Sequence, residues 1–168
     1  RENFWIIDPI DGTNNFLHGV PHFCISIAHR NNNKIVSALI FDPIKNELFY
    51  AEQNGGAFFN NHRIRVSKKT IINECLFGSN YESINIKLDL NIRITGSAAL
   101  DLAYVGCGRF DGYFQNNLNI WDIAAGILIV KEAGGRYSNI NFDEMSNIKI
   151  RASSNNIYDK MQEKLVNF

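Results

Sequence analysis

The stretch Trp5-Ile6-Ile7-Asp8-Pro9-Ile10-Asp11-Gly12-Thr13-Asn14-Asn15-Phe16 decides how this chain is read. It opens as an apolar run, Phe4 to Ile7, with the length and composition of a buried strand. Asp8, Pro9, Asp11 and Gly12 then bring turn chemistry, which is expected to stop the strand. Asp8 and Asp11 stand three apart around that turn, so both carboxylates can face one point at the strand end. Gly12 permits close backbone approach, and Thr13-Asn14 reads as the start of a short helix.

Two carboxylates about 4 Å apart repel by roughly 4 kcal/mol at an effective dielectric near 20. A buried pair must therefore protonate, separate or hold a cation. Oxygen ligands with no His or Cys beside them suit Mg²⁺. The helix start also frees backbone N–H groups, which suit a phosphate. Carboxylates, a divalent metal and a phosphate point together to metal-assisted phosphoryl chemistry. Asp, Pro and Gly are also ordinary turn residues, so a plain strand and turn is the competing reading of this stretch.

The 168 residues fit a single domain, 1–168, with a real core. With 45% hydrophobic and 20% charged residues the composition is that of a globular protein. Seventeen basic and 17 acidic residues balance, which argues against a nucleic-acid surface. No apolar run approaches the roughly 18 residues of a membrane span. Arg1-Glu2-Asn3 leads into a strand without a signal-peptide pattern. Cys24, Cys75 and Cys107 are odd in number and lack metal-ligand spacing, so reduced core thiols and a cytoplasmic location are expected.

Downstream, turn residues cut the chain into an antiparallel meander. Its expected strands are Phe23 to Arg30, with Phe23, Ile25 and Ile27 on one side, then Ile35 to Phe41, Glu47 to Ala51, Ala57 to Phe59 and Ile64 to Val66. Further strands are expected at Cys75 to Gly78, Ile92 to Thr95, Phe110 to Phe114 and Lys149 to Ser153. Asn80 to Asn91 is polar and carries no clear pattern. Ser97 to Gly106 reads as a helix whose small residues, Ala98, Ala99 and Ala103, allow close packing. Trp121 to Ala133 is a helix apolar on almost every side, hence buried between layers. Asp122 is its exception: either a carboxylate favoured by the helix dipole, by about 0.3–1 kcal/mol, or a third metal ligand on a rigid element. A last helix is expected at Asn156 to Val166, capped by Asn155.

With these residues in view, the sequence resembles the inositol monophosphatase family. The resemblance rests on Trp5-Ile6-Ile7-Asp8-Pro9-Ile10-Asp11-Gly12-Thr13, on Gly96-Ser97-Ala98-Ala99-Leu100-Asp101-Leu102-Ala103-Tyr104-Val105, and on Trp121-Asp122-Ile123-Ala124-Ala125-Gly126 running to Glu132-Ala133-Gly134-Gly135. It implies a layered α/β (α+β) sugar-phosphatase fold, with mixed and antiparallel sheets around buried helices. It further implies Mg²⁺-dependent hydrolysis of a small phosphate monoester of the inositol-1-phosphate kind. Asp8, Asp11, Asp122 and the carbonyl of Ile10 match metal ligands. Gly12 and Thr13 match phosphate contacts, and the Thr13 hydroxyl and Asp11 match the groups that activate water. Gly96, Ser97, Ala98 and Asp122 match the substrate side.

Family members normally carry a preceding segment of helices and strands, ending in a metal-binding Gly-Glu-Glu-like motif. This sequence lacks it, so a truncated domain without that helical layer is expected, with impaired or absent turnover as the alternative reading. An uncovered sheet face would then invite a homodimer. Gln115 stands where inositol-preferring members place a Glu that contacts sugar hydroxyls, so another sugar phosphate or a nucleotide phosphate remains open as substrate. The Asn80 to Asn91 connection also looks shorter than the family's. His18 and His22 read as loop residues, Arg109 as the anchor of a helix end or an Asp, Asp101 and Asp111 as structural, and Lys68-Lys69 as a solvated turn.

Overall fold

A computed structural model describes residues 3–80 and 89–166. Its first strand, β1 (Asn3–Asp11), runs past the point where the turn residues were expected to end it. Pairing with β2 (Cys24–Asn31) continues, with Asp8 opposite Ser26 and Asp11 opposite Cys24. Three steps along β1 thus face two along β2, which is a bulge with one extra residue. Pro9, which has no N–H for a ladder, lies inside it. In a regular strand residues three apart point to opposite faces. The bulge interrupts that alternation once, so Asp8 and Asp11 share the inner face with Ile6, while Trp5 and Ile7 point outward. The short helix α1 (Thr13–Leu17) follows Gly12, whose φ of 86° is left-handed. A Cβ there would come within 3.0 Å of the His22 carbonyl oxygen, so glycine is required twice over.

The meander continues through β3 (Lys34–Asp42), β4 (Glu47–Glu52), β5 (Gly56–Phe59) and β6 (His62–Arg63), paired antiparallel in chain order. Asn32, Asn46, Asn60 and Asn61 turn it at positive φ, the conformation asparagine tolerates best among side-chain residues. One expectation changes here. The last strand is the pair His62–Arg63, and residues 64–66 leave the sheet, with the Val66 N–H donating to the Ala133 carbonyl at 3.1 Å. On β2 the buried side is Cys24, Ser26, Ala28 and Arg30, while Ile25 stands 37% exposed. Ile25 and Ile27 share one side, as expected, and that side is the outer one. Small residues are needed inside because a helix approaches closely there, and the Ser26 hydroxyl reaches the Trp121 carbonyl at 3.4 Å.

The second sheet contains β7 (Leu76–Gly78), β8 (Asn91–Arg93), β9 (Gly112–Leu118), β10 (Gly135–Tyr137) and β11 (Ile148–Ser154), in the order β10-β11-β9-β7-β8. β7 is parallel to both β8 and β9; the remaining pairs are antiparallel. Between the two sheets lie α2 (Ala98–Gly106) and α3 (Ile120–Glu132). α3 buries Ile120, Ile123 and the whole run Ala124 to Val130, as its all-round apolar pattern predicts. A Cβ on Gly126 would sit 2.4 Å from the Leu102 Cβ, so the α2–α3 crossing needs the glycine. α4 (Tyr158–Lys164) covers the far face of the second sheet, where Ile157, Met161 and Leu165 meet Cys75, Phe77 and Phe114.

The result is the mixed α+β layering the sequence implies: sheet, helix pair, sheet, helix. α4 starts later than expected and Asn155 does not cap it; the Asn155 amide donates instead to the Gly134 carbonyl. β10 was not anticipated, and β9 is displaced toward Leu118 relative to the expected Phe110 to Phe114. Most of the Asn80 to Asn91 connection lies outside the described residues. The outer face of the first sheet presents Trp5 (60% exposed), Ile7 and Ile25 beside Ile27, Leu39 and Tyr50. Cys24, Cys75 and Cys107 are free thiols. Among the described residues no helix is long and apolar enough to cross a membrane.

Candidate active site

The β1 bulge delivers Asp8 and Asp11, and the first turn of α3 delivers Asp122. One oxygen of each lies within 4.8 Å of the others. The three are held from behind. The Asp11 Oδ2 accepts the backbone N–H of Ala99 at 3.0 Å and the Ser97 hydroxyl, and the Cys24 thiol lies 3.7 Å away. That side of the carboxylate is filled, leaving Oδ1 for the cavity. Ser97 works twice, since its oxygen also caps α2 by accepting the Leu100 N–H at 3.3 Å. The Asp122 Oδ2 accepts the Asn119 N–H at 2.7 Å, just before α3 begins. The Asp8 Oδ1 accepts the Ile10 N–H at 3.0 Å, and the Thr13 hydroxyl donates to the Ile10 carbonyl at 2.8 Å.

Burial drives the electrostatics. It pushes the Asp11 carboxyl up to about 7, against the lowering effect of the Ser97 and Ala99 hydrogen bonds, and the charges of Asp8 and Asp122 add to the rise. Asp122 is raised as well, first by burial, with the Asn119 hydrogen bonds opposing and the Asp8 charge reinforcing. Such a cluster relieves its own repulsion by taking up a proton or a cation. Its donors are hard carboxylate oxygens, so the residues present fit a hard divalent ion, and the cluster could hold one.

A cavity of about 460 Å³ opens over this cluster. Every site residue singled out in the sequence lines it: Asp8, Ile10, Asp11, Gly12, Thr13, Gly96, Ser97, Ala98, Gln115 and Asp122. Its described lining contains no Lys, Arg or His. Sequence reasoning missed Ser79, Asn80, Ile94, Leu118, Asn119 and Trp121. Asn119 was within reach, because an Asn three residues before an Asp at the head of an apolar run is a helix-start pattern. Asp101, read as structural, also lines the cavity, where its carboxylate accepts the Thr95 hydroxyl at 2.6 Å.

Other charged residues lie elsewhere. Arg109 holds Glu47 through two 2.6 Å contacts, rather than a helix end or an Asp, and stacks 4.9 Å from the Tyr104 ring centre. Lys69 pairs with the buried Asp111 at 3.0 Å, so the Lys68-Lys69 turn is only partly a solvated one. Asp111 also accepts the Leu76 N–H at 2.7 Å, which makes it structural as expected. His18 and His22 do not line the cavity.

Two buried helices between sheets, with converging carboxylates at their N-terminal ends, define a fold class that comparison can name. The inositol monophosphatase family model matches residues 1–167, and the chain belongs to that family. It is 45% identical over 145 residues to an inositol-1-monophosphatase of Rhizobium meliloti, covering 78% of this chain and 54% of that protein. It is 43% identical over 146 residues to the Nus factor SuhB of Xylella fastidiosa, covering 78% of this chain and 53% of that one. The chain thus spans a little over half the length of these curated relatives. The crystal structure of extragenic suppressor protein suhB from Bartonella henselae superposes with a TM-score of 0.91 at 44% identity, over 98% of this chain and 73% of that one.

Proposed function

We propose that this chain carries the metal centre of a Mg²⁺-dependent phosphomonoesterase acting on a small phosphorylated polyol or sugar. The observation that carries the reading is the convergence of Asp8, Asp11 and Asp122, from two distant parts of the sequence, within 4.8 Å. Those three carboxylates, with the Ile10 carbonyl, would hold the metal. Mg²⁺ bound there would activate water and clamp phosphoryl oxygens. The Thr13 hydroxyl gives its single proton to the Ile10 carbonyl, so its lone pairs are left to accept a hydrogen bond and orient an attacking water. Gly12 and Thr13 border the cavity beside it, and their N–H groups would suit the phosphate. Among the described residues the lining offers metal ligands and backbone, and these would meet the phosphate. Family membership and the relative named inositol-1-monophosphatase support this reading. Free thiols are consistent with a cytoplasmic setting.

The test is phosphate release from myo-inositol 1-phosphate with Mg²⁺ and with EDTA. Turnover that needs Mg²⁺ and is lost in Asp122→Asn supports the proposal; turnover indifferent to both sinks it. A second reading, a family member that acts through protein binding without turnover, is favoured by the exposed Trp5, Ile7 and Ile25 face and by the relative named as a Nus factor. Self-association through that face is its simplest form. A chain that binds Mg²⁺ yet hydrolyses no phosphate ester would favour it.

A further inference from the structure

One wall of the cavity is neutral and polar. Gln115 stands on it, half-buried, on the same side of β9 as Tyr113 two residues earlier. Tyr113 is fully buried, and its hydroxyl donates to the Gln115 Oε1 at 2.5 Å. A phenol has one proton. Burial, together with the charges of Asp101, Asp11 and Asp122, raises the Tyr113 hydroxyl well above its ordinary range, so that proton stays. Turning the amide round would leave a buried O–H without an acceptor, which is unfavourable. Tyr113 therefore fixes which end of the amide faces inward. Among the described residues the Gln115 Nε2 has no partner, and it is the end left to the cavity.

We infer that Tyr113 is a positioning residue that locks Gln115 as a hydrogen-bond donor, so that the site takes phosphate esters whose neutral part presents a carbonyl as readily as those that present a hydroxyl. The inference rests on the phosphatase reading above and extends its substrate class to keto esters. A carboxylate at 115 would do the opposite, since it can only accept from substrate hydroxyls.

Two probes separate a donor from an acceptor at 115, because a hydroxyl can donate or accept whereas a carbonyl only accepts. Glycerol 1-phosphate carries a hydroxyl where dihydroxyacetone phosphate carries a carbonyl. Both bear the same phosphate, so the extra negative charge of Gln115→Glu cancels in the ratio of their kcat/KM values. Wild type, Gln115→Glu and Tyr113→Phe are compared with Mg²⁺ present. The side-chain amide signals of Gln115, identified by their loss in Gln115→Glu, are followed by ¹H–¹⁵N spectroscopy during titration with each probe. The expected result is a keto-to-polyol ratio at least tenfold lower in Gln115→Glu than in wild type. Tyr113→Phe should lie between the two, with its backbone spectrum retained and its Gln115 amide signals shifted. A merely structural Tyr113 would lower kcat/KM on both probes equally. An unchanged ratio in both variants, or amide signals that ignore both probes, would overturn the inference while turnover itself upholds the phosphatase reading. Amide signals that respond without any hydrolysis would uphold the donor role and sink the phosphatase reading instead.

Discussion

Asp11→Asn should stabilise the metal-free protein, and by more as the pH rises. In the native state Asp11 titrates near 7, against 3.8 for an exposed carboxyl. A carboxyl raised on folding gives stability that is whole below the unfolded value and is lost as pH climbs through the folded one. The gap corresponds to roughly 4 kcal/mol, at about 1.4 kcal/mol per pH unit. Asn keeps the local contacts: its carbonyl oxygen can accept from Ala99 and Ser97, while its NH₂ turns toward Asp8 and Asp122. Urea unfolding in EDTA should therefore show wild type and variant close together near pH 4. The variant should be ahead by roughly 3–4 kcal/mol near pH 8. Adding Mg²⁺ should narrow the gap from the wild-type side, because an ion that binds only the folded state at 100 times its Kd adds about 2.7 kcal/mol. A difference that stays flat from acid to alkaline pH would refute the reasoning, since it would mean that burial does not strain this carboxylate.

Other outcomes follow from the same contacts. Ser97→Ala removes both the α2 cap and a donor to Asp11, and should cost about 1–2 kcal/mol in urea unfolding while weakening Mg²⁺ affinity. Gly12→Ala places a Cβ at positive φ and 3.0 Å from a backbone oxygen; a loss of roughly 2 kcal/mol or more is expected, with reduced turnover. Arg109→Lys keeps the charge but not the two-point grip on Glu47 or the stacking on Tyr104, and should lower Tm by a few degrees without changing metal affinity. Trp5→Lys with Ile7→Lys should suppress self-association in sedimentation at little cost in stability, because both side chains are more than half exposed.

Local chemistry made some of this structure legible in advance. The meander announced itself because Asn and Gly mark its turns, and α3 because its apolar run leaves no polar face for solvent. Asp8, Asp11 and Asp122 stood out as carboxylates at the ends of apolar elements, and they do converge. What failed depended on contacts between distant residues. Asp8, Pro9 and Gly12 look like a strand end, yet pairing with Ser26 and Cys24 carries β1 through as a bulge. On β2 the alternation shows that Ile25 and Ile27 share a side, but not that the approach of α3 puts Ser26 and Ala28 on the inner one. Three residues of β10 are too few to show a pattern. The Tyr113–Gln115 pair was invisible because an i, i+2 spacing says nothing about which hydroxyl meets which amide.

The central claim is that a carboxylate from α3 completes a cation centre begun by the β1 bulge. Calorimetric titration of Mg²⁺ into wild type and Asp122→Asn near pH 8 tests it most directly, with circular dichroism to verify that both are folded. The account predicts saturable binding to wild type and an affinity at least tenfold weaker in the variant. Equal affinity in the two, or no binding to folded wild type, would contradict it.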